Sequence, residues 1–159
     1  MNLLTGATGF IGKRLLDALI ADGFACRTLA RRPNACPNQF VADLANRRVL
    51  NTACAGVTTV FHCAGHAHAF HSLSHDDDRL QWQVNFEGTR NLVEAAAENG
   101  VKRFIFLSSV KAMADPGESC ANEDLPGEPE TAYGQAKRAA EDAVLARSEE
   151  HTSELQSQR

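Results

Sequence analysis

Aromatic polar side chains and lysines are scarce here: 159 residues hold one tyrosine, one tryptophan and four lysines. No apolar run approaches the ~20 residues that a membrane-spanning helix needs, which argues against a membrane partner. Basic stripes are missing too, and the net charge is −4, so nucleic acid is excluded as an expected partner. The opening M-N-L-L-T-G-A-T-G has no basic segment and turns glycine-rich within six residues, unlike a signal peptide. Cys26, Cys36, Cys54, Cys63 and Cys120 form an odd set without C-x-x-C spacing. Neither a disulfide framework nor a zinc site is expected from it, and reduced thiols in a cytoplasmic protein are the simpler reading.

What is present is a regular alternation. Short apolar runs at 1–5, 25–30, 40–41, 58–62 and 103–107 read as five strands. Between them lie a helical period over 10–22 (Ile11, Leu15, Leu16, Leu19), a short helix at Arg47–Cys54, and a long amphipathic helix over 78–100. Trp82, Val84, Leu92, Val93 and Ala96 mark that long helix as amphipathic, Trp82 and Phe86 read as core or dimer-face residues, and Gly100 stops it. Residues 112–130 carry two Pro-Gly pairs and read as a loop; a last helix begins at Thr131. Strands alternating with helices predict right-handed crossovers and an α/β, doubly wound parallel sheet.

The first strand-to-helix turn reads Thr5-Gly6-Ala7-Thr8-Gly9-Phe10-Ile11-Gly12. Glycines there let a pyrophosphate approach the backbone, and the helix start offers N–H groups and a positive dipole end. Gly12 lets the helix lie close against the strand. A turn of this kind in this context predicts a dinucleotide cofactor, held by Gly6, Thr8, Gly9, Phe10, Ile11 and Gly12.

Tyr133 and Lys137 stand four apart on the last helix and so share a face. With four lysines in the chain, chance would place one there only about one time in forty. A free phenol titrates near pH 10, so a phenolic base working near neutrality needs a neighbouring cation. Strand five ends in Ser108-Ser109, at the carboxyl end that faces the ligand crevice of such sheets. The end of strand two reads Ala30-Arg31-Arg32, with no acid to hold a ribose 2′-hydroxyl; guanidinium groups suit a 2′-phosphate, which favours NADP over NAD.

The spacing of T-G-A-T-G-F-I-G resembles the extended and atypical short-chain dehydrogenases, and the likeness extends over residues 1–146. Asp43-Leu44 matches the family's acidic-plus-apolar pair at the adenine, and Phe61-His62-Cys63-Ala64-Gly65 its H-x-A-[AG] turn. Val84-Asn85 with Gly88-Thr89 resembles its V-N-x-x-G-T helix. The resemblance implies an NAD(P)-binding Rossmann domain, with Arg31, Asp43, Leu44, Cys63, Ala64, Gly65, Asn85, Tyr133 and Lys137 around the cofactor. It implies Ser109, Tyr133 and Lys137 as catalytic groups. Val110-Lys111 stands where family dehydratases carry Asp-Glu, which disfavours elimination. The run 122–126 followed by Pro129 and Tyr133 resembles nucleotide-sugar epimerases and 4-ketoreductases, so a nucleotide sugar is the implied substrate and a homodimer a possible assembly. A non-catalytic NADP-binding sensor of the same fold is the alternative, and relatives of that kind typically lack the tyrosine.

Two stretches carry separate expectations. His62, His66, His68, His71 and His75 lie within fourteen residues, but without a helical H-x-x-x-H pattern they read as a polar loop and no metal is expected. From Arg147 onward the chain resembles the translation of a sequencing-library adapter, so residues 147–159 are expected to be a non-native tail. On that reading a sixth strand and the substrate domain are missing, strand five has an open edge, and the chain as written is poorly soluble and inactive.

Overall fold

Leu3 and Leu4 are adjacent and both fully buried, because successive side chains of a strand enter opposite layers. The computed structural model, which describes residues 1–33, 36, 38–66, 75–115, 122 and 128–157, shows a five-stranded parallel sheet. Its strands are β1 (Asn2–Thr5), β2 (Cys26–Ala30), β3 (Gln39–Val41), β4 (Thr59–His62) and β5 (Arg103–Phe106), in spatial order β3-β2-β1-β4-β5. The doubly wound α/β reading holds, with strand ends within a residue of those expected.

One layer packs Leu3, Leu29, Leu50, Ala53, Val60, Leu92 and Ala96 beneath α2 (Arg47–Cys54) and α4 (Gly88–Glu98). The other gathers Leu4, Ala7, Leu16 and Cys26 under α1 (Phe10–Ala21). Asn46 caps α2, its side-chain oxygen accepting the Val49 N–H at 3.2 Å. Among the described residues no helix is long and apolar enough to cross a membrane.

The long helix expected over 78–100 starts earlier and is not uniform. α3 (His75–Gln81) leads into a π-helical turn, Trp82–Glu87, and then into α4. Of the core and dimer-face readings of Trp82, the core one fails: the ring is 41 % exposed and meets Phe86 in a tilted contact, 4.6 Å between ring centroids. A period of 3.6 read across a π turn slips by about one residue, which is why the pattern misplaced it. The last helix, α5 (Ala132–Ser157), packs beside α4 and continues past Ala146, where its amphipathic pattern ends. No glycine or proline follows Gly134, so nothing local interrupts it.

A buried imidazole joins the central strands. His62, on β4, is wholly buried between Thr5 of β1 and Thr89 of α4. Thr89 donates its hydroxyl hydrogen to the Asn85 carbonyl at 2.7 Å, so its oxygen accepts from His62 Nε2–H at 2.9 Å. Nδ1 is then the acceptor for the Thr5 hydroxyl at 2.6 Å, and Thr5 Oγ1 in turn accepts the Ala64 N–H at 3.3 Å. The bond that Nδ1 accepts from Thr5 requires the neutral ring. Burial first, and the Lys137 cation second, push the His62 pKa down to about 3.

The pH dependence follows with a definite sign. Between about pH 3 and the ordinary imidazole value of 6.5, the unfolded chain binds a proton at His62 that the folded protein does not. Its contribution is therefore complete above pH 6.5 and is lost as pH falls toward 3, at up to about 1.4 kcal/mol per pH unit. Denaturant unfolding from pH 7 to 4 is expected to show this slope, and His62→Asn to be less stable at pH 7 but flatter in acid. An unchanged acid slope in the variant would refute the assignment.

Candidate cofactor crevice and catalytic residues

At the carboxyl ends of β1, β2 and β4, backbone meets backbone with almost no side chain between. Gly6 has φ +72°, and a Cβ there would lie 2.6 Å from the Ala64 nitrogen. A Cβ on Gly12 would overlap the Gly6 carbonyl oxygen. These two positions admit only glycine: Gly6 seats the turn after β1 on the turn after β4, and Gly12 seats the start of α1 on the turn after β1. Gly9 is the N-cap of α1, donates its N–H to the Gly6 carbonyl at 2.9 Å, and leaves that helix end without a side-chain cap.

A crevice opens beside this junction, lined by Thr5, Gly6, Thr8, Gly9, Leu29, Ala30, Arg31, Ala42, Asp43, Leu44, Cys63, Ala64, Gly65 and Val84. The sequence-expected residues Gly6, Thr8, Gly9, Arg31, Asp43, Leu44, Cys63, Ala64 and Gly65 are all in its wall. Phe10 and Ile11 form the exposed first turn of α1 beside it, at 75 % and 51 % exposure, and the Arg14 guanidinium lies 3.8 Å over the Phe10 ring. Thr5, Leu29, Ala30, Ala42 and Val84 were not expected; the register that sets Thr5 beside Leu29 and His62 would have found the first two. The fit to a dinucleotide is physical: a glycine-walled cradle at an uncapped helix start suits the charge and bulk of a pyrophosphate.

Asn85 does not line this crevice. Its side chain is buried one layer behind, holding the backbone of His66. Asp43 does line it, while its carboxylate accepts the Ala45 N–H at 2.9 Å and so fixes the turn into α2.

The second half of the site is assembled by α5. The four-residue spacing of Tyr133 and Lys137 puts both on one face of this helix; Tyr133 is half-buried and Lys137 is 4 % exposed. Lys137 Nζ donates to the Leu107 carbonyl at 2.6 Å and lies 4.1 Å from the Phe106 ring centroid. That brings the amine to the end of β5, one residue before Ser108-Ser109. Ser109 Oγ accepts the Lys111 N–H at 3.2 Å, capping the 3₁₀ turn Val110–Ala112, and a Cβ on Gly134 would overlap the Lys111 carbonyl of that same turn. So the two elements that carry Ser109 and the Tyr133–Lys137 pair are packed together. Ser108 Oγ, by contrast, is buried with no hydrogen-bond partner among the described residues.

Electrostatically the amine is held close to neutral pH. Burial pushes the Lys137 pKa down to about 8, against Glu141 and Cys63, which raise it. The Cys63 thiol is pushed up by burial and pulled back by Lys137. Of the clustered histidines, His62 is locked in the sheet, His66 pairs with Asp77, and His75 opens α3; His68 and His71 lie outside the described residues, as do Cys120 and residues 123–126.

The sequence profile of the NAD dependent epimerase/dehydratase family matches residues 2–157. The chain is 35 % identical over 148 residues to the N-acetyl-alpha-D-glucosaminyl-diphospho-ditrans,octacis-undecaprenol 4-epimerase of Escherichia coli O157:H7, covering 89 % of this chain and 42 % of that protein. It is 34 % identical to the human sterol-4-alpha-carboxylate 3-dehydrogenase, decarboxylating, covering 88 % and 38 %. Its fold superimposes on MoeE5 in complex with UDP-glucose and NAD with a TM-score of 0.80 at 31 % identity, covering 92 % and 48 %. The chain spans less than half the length of each of these three.

The glycine contacts give a direct test. Gly12→Ala, whose Cβ has backbone in its way, is expected to cost about 1–3 kcal/mol of stability and to abolish dinucleotide binding. Gly9→Ala, whose Cβ would sit 3.3 Å from the Gly6 oxygen, should be milder in both. Denaturant unfolding with NADH and NADPH titration measures the pair; wild-type values for Gly12→Ala would contradict the packing.

Proposed function

The chain belongs to the NAD dependent epimerase/dehydratase family, and from that premise we propose that residues 1–146 are the Rossmann domain of an NAD(P)-dependent epimerase or 4-ketoreductase acting on a nucleotide-diphosphate sugar. The observation that carries this reading is Lys137 anchored at the end of β5, which packs its helix, with Tyr133 one turn away, against the turn capped by Ser109.

A bound nicotinamide supplies the hydride acceptor. Tyr133, as the base, takes the proton of a sugar hydroxyl while the carbon bearing it is oxidised. Lys137, mostly cationic at neutral pH and one helical turn from Tyr133, supplies a positive charge on the same helix face and a donor for the ribose. Ser109, whose oxygen is occupied as an acceptor, retains its O–H to donate to the forming carbonyl oxygen. An epimerase reforms the alcohol on the other face of the turned keto sugar; a ketoreductase runs one half of that cycle.

The cofactor in this reading is NADP in preference to NAD, because Arg31 lines the crevice and no acid follows β2. MoeE5 was solved with NAD, so the choice rests on Arg31. A sterol alcohol is the second substrate reading, favoured by the identity to the human 3-dehydrogenase. A non-catalytic NADP sensor is disfavoured by Tyr133 standing with Lys137.

Two measurements test these assignments. NADPH is expected to bind at least as tightly as NADH, and Arg31→Ala to weaken NADPH by about tenfold with little effect on NADH. A strong NADH preference untouched by Arg31→Ala rejects the NADP assignment. In the full-length protein, Tyr133→Phe should leave cofactor binding intact and lower turnover of the nucleotide sugar by about a hundredfold or more. Retained turnover in Tyr133→Phe removes the tyrosine from the mechanism.

A further inference from the structure

Behind the Gly65 turn the hydrogen bonds close on themselves. The His66 N–H donates to Asn85 Oδ1 at 2.8 Å, and Asn85 Nδ2 donates back to the His66 carbonyl at 2.9 Å. The same Nδ2 donates to Gln81 Oε1 at 2.8 Å. Gln81 Nε2 donates to Asp77 Oδ2 in the longest link, 3.5 Å, and His66 Nε2 meets Asp77 Oδ1 at 3.2 Å. Gln81 and Asn85 are 1 % and 2 % exposed, and the side chains of His66 and Asp77 are 16 % exposed.

This ring has one polarity. Both Asn85 Nδ2 hydrogens are spent, so Gln81 must present Oε1 to Asn85 and Nε2 to Asp77. Asp77 faces two donors and must accept from both. Apolar side chains would fill the same volume without desolvating four polar groups, so the ring's cost goes with a defined geometry at its far end. That far end is the wall of the crevice: Gly65 lines it, and the space a Gly65 Cβ would use lies 3.1 Å from Asn85 Oδ1. Asn85 also sits within the π-helical turn, a local distortion frequent at functional sites.

We propose that Asp77 and Gln81, neither of which lines the crevice, are positioning residues that act through Asn85 and the Gly65–His66 backbone to set the affinity for the nicotinamide dinucleotide. The proposal rests on the cofactor reading above. Gln81→Glu keeps the shape but sets a carboxylate oxygen against Asp77 Oδ2, and no flip relieves it. Adding Asp77→Asn restores the polarity, since the new amide donates to Glu and accepts from His66 Nε2–H.

NADH and NADPH titration of the purified protein by fluorescence, with melting temperature measured in parallel, decides it. Gln81→Glu is expected to weaken binding by about tenfold, and the double variant to return within about twofold of wild type. Gln81→Glu with a lowered melting temperature but wild-type affinity shows a merely structural ring and overturns the proposal, as does a double variant no better than the single. Should Gln81→Glu not fold, Gln81→Leu, which deletes both links without opposing two oxygens, is judged by the same loss of affinity. A wild-type protein that binds neither dinucleotide overturns the cofactor reading and this proposal with it, a result distinct from normal binding by the variants.

Discussion

Backbone contact at Gly6, Gly12 and Ala64 is the constraint on which the rest of the site depends. With no Cβ in the way, the turn after β1 lies on the turn after β4, and α1 begins against the turn after β1. Three consequences follow from that closeness. The α1 start is left open for an anion, the Ala64 N–H reaches Thr5 Oγ1, and the same hydroxyl is directed into the His62 ring. The glycine cradle and the buried imidazole are thus two sides of one contact.

Charge is sorted across the sheet with similar economy. His62 and Lys137 are both buried near the ends of β4 and β5, and two cations there would repel. Threonines on either side of His62 satisfy the neutral ring, whereas Glu141 and Cys63 favour the charged form of Lys137. The neighbourhood therefore assigns the positive charge to the amine at the end of β5, where the catalytic reading needs it, and keeps it out of the sheet.

Behind both, the polar ring of His66, Asp77, Gln81 and Asn85 ties the crevice wall to α3 and the π-helical turn. At Ala64–Gly65 the wall is small-residue backbone, with at most a methyl group of its own to define its position. Side chains from a helix some twenty residues away supply that definition. Second-layer groups of this sort commonly orient the groups that touch a ligand.

Strands, helices and the glycine turn were legible in the chain because their causes are local: side-chain period, φ freedom and spacing along one element. Tyr133 and Lys137 were legible for the same reason, being four apart on one helix. Nine of the expected cofactor residues line the crevice because they sit at strand ends, which a parallel sheet brings to one edge. The rest depended on which side chains meet across the fold. Asn85 carries the family spacing, yet its amide spends itself on His66 behind the wall. The π turn moved Trp82 to the surface, and Lys137 found the Leu107 carbonyl thirty residues back. A hydrogen bond between distant residues leaves no period and no spacing in the sequence; only the packing of α3, α4 and α5 on the sheet makes its two ends neighbours.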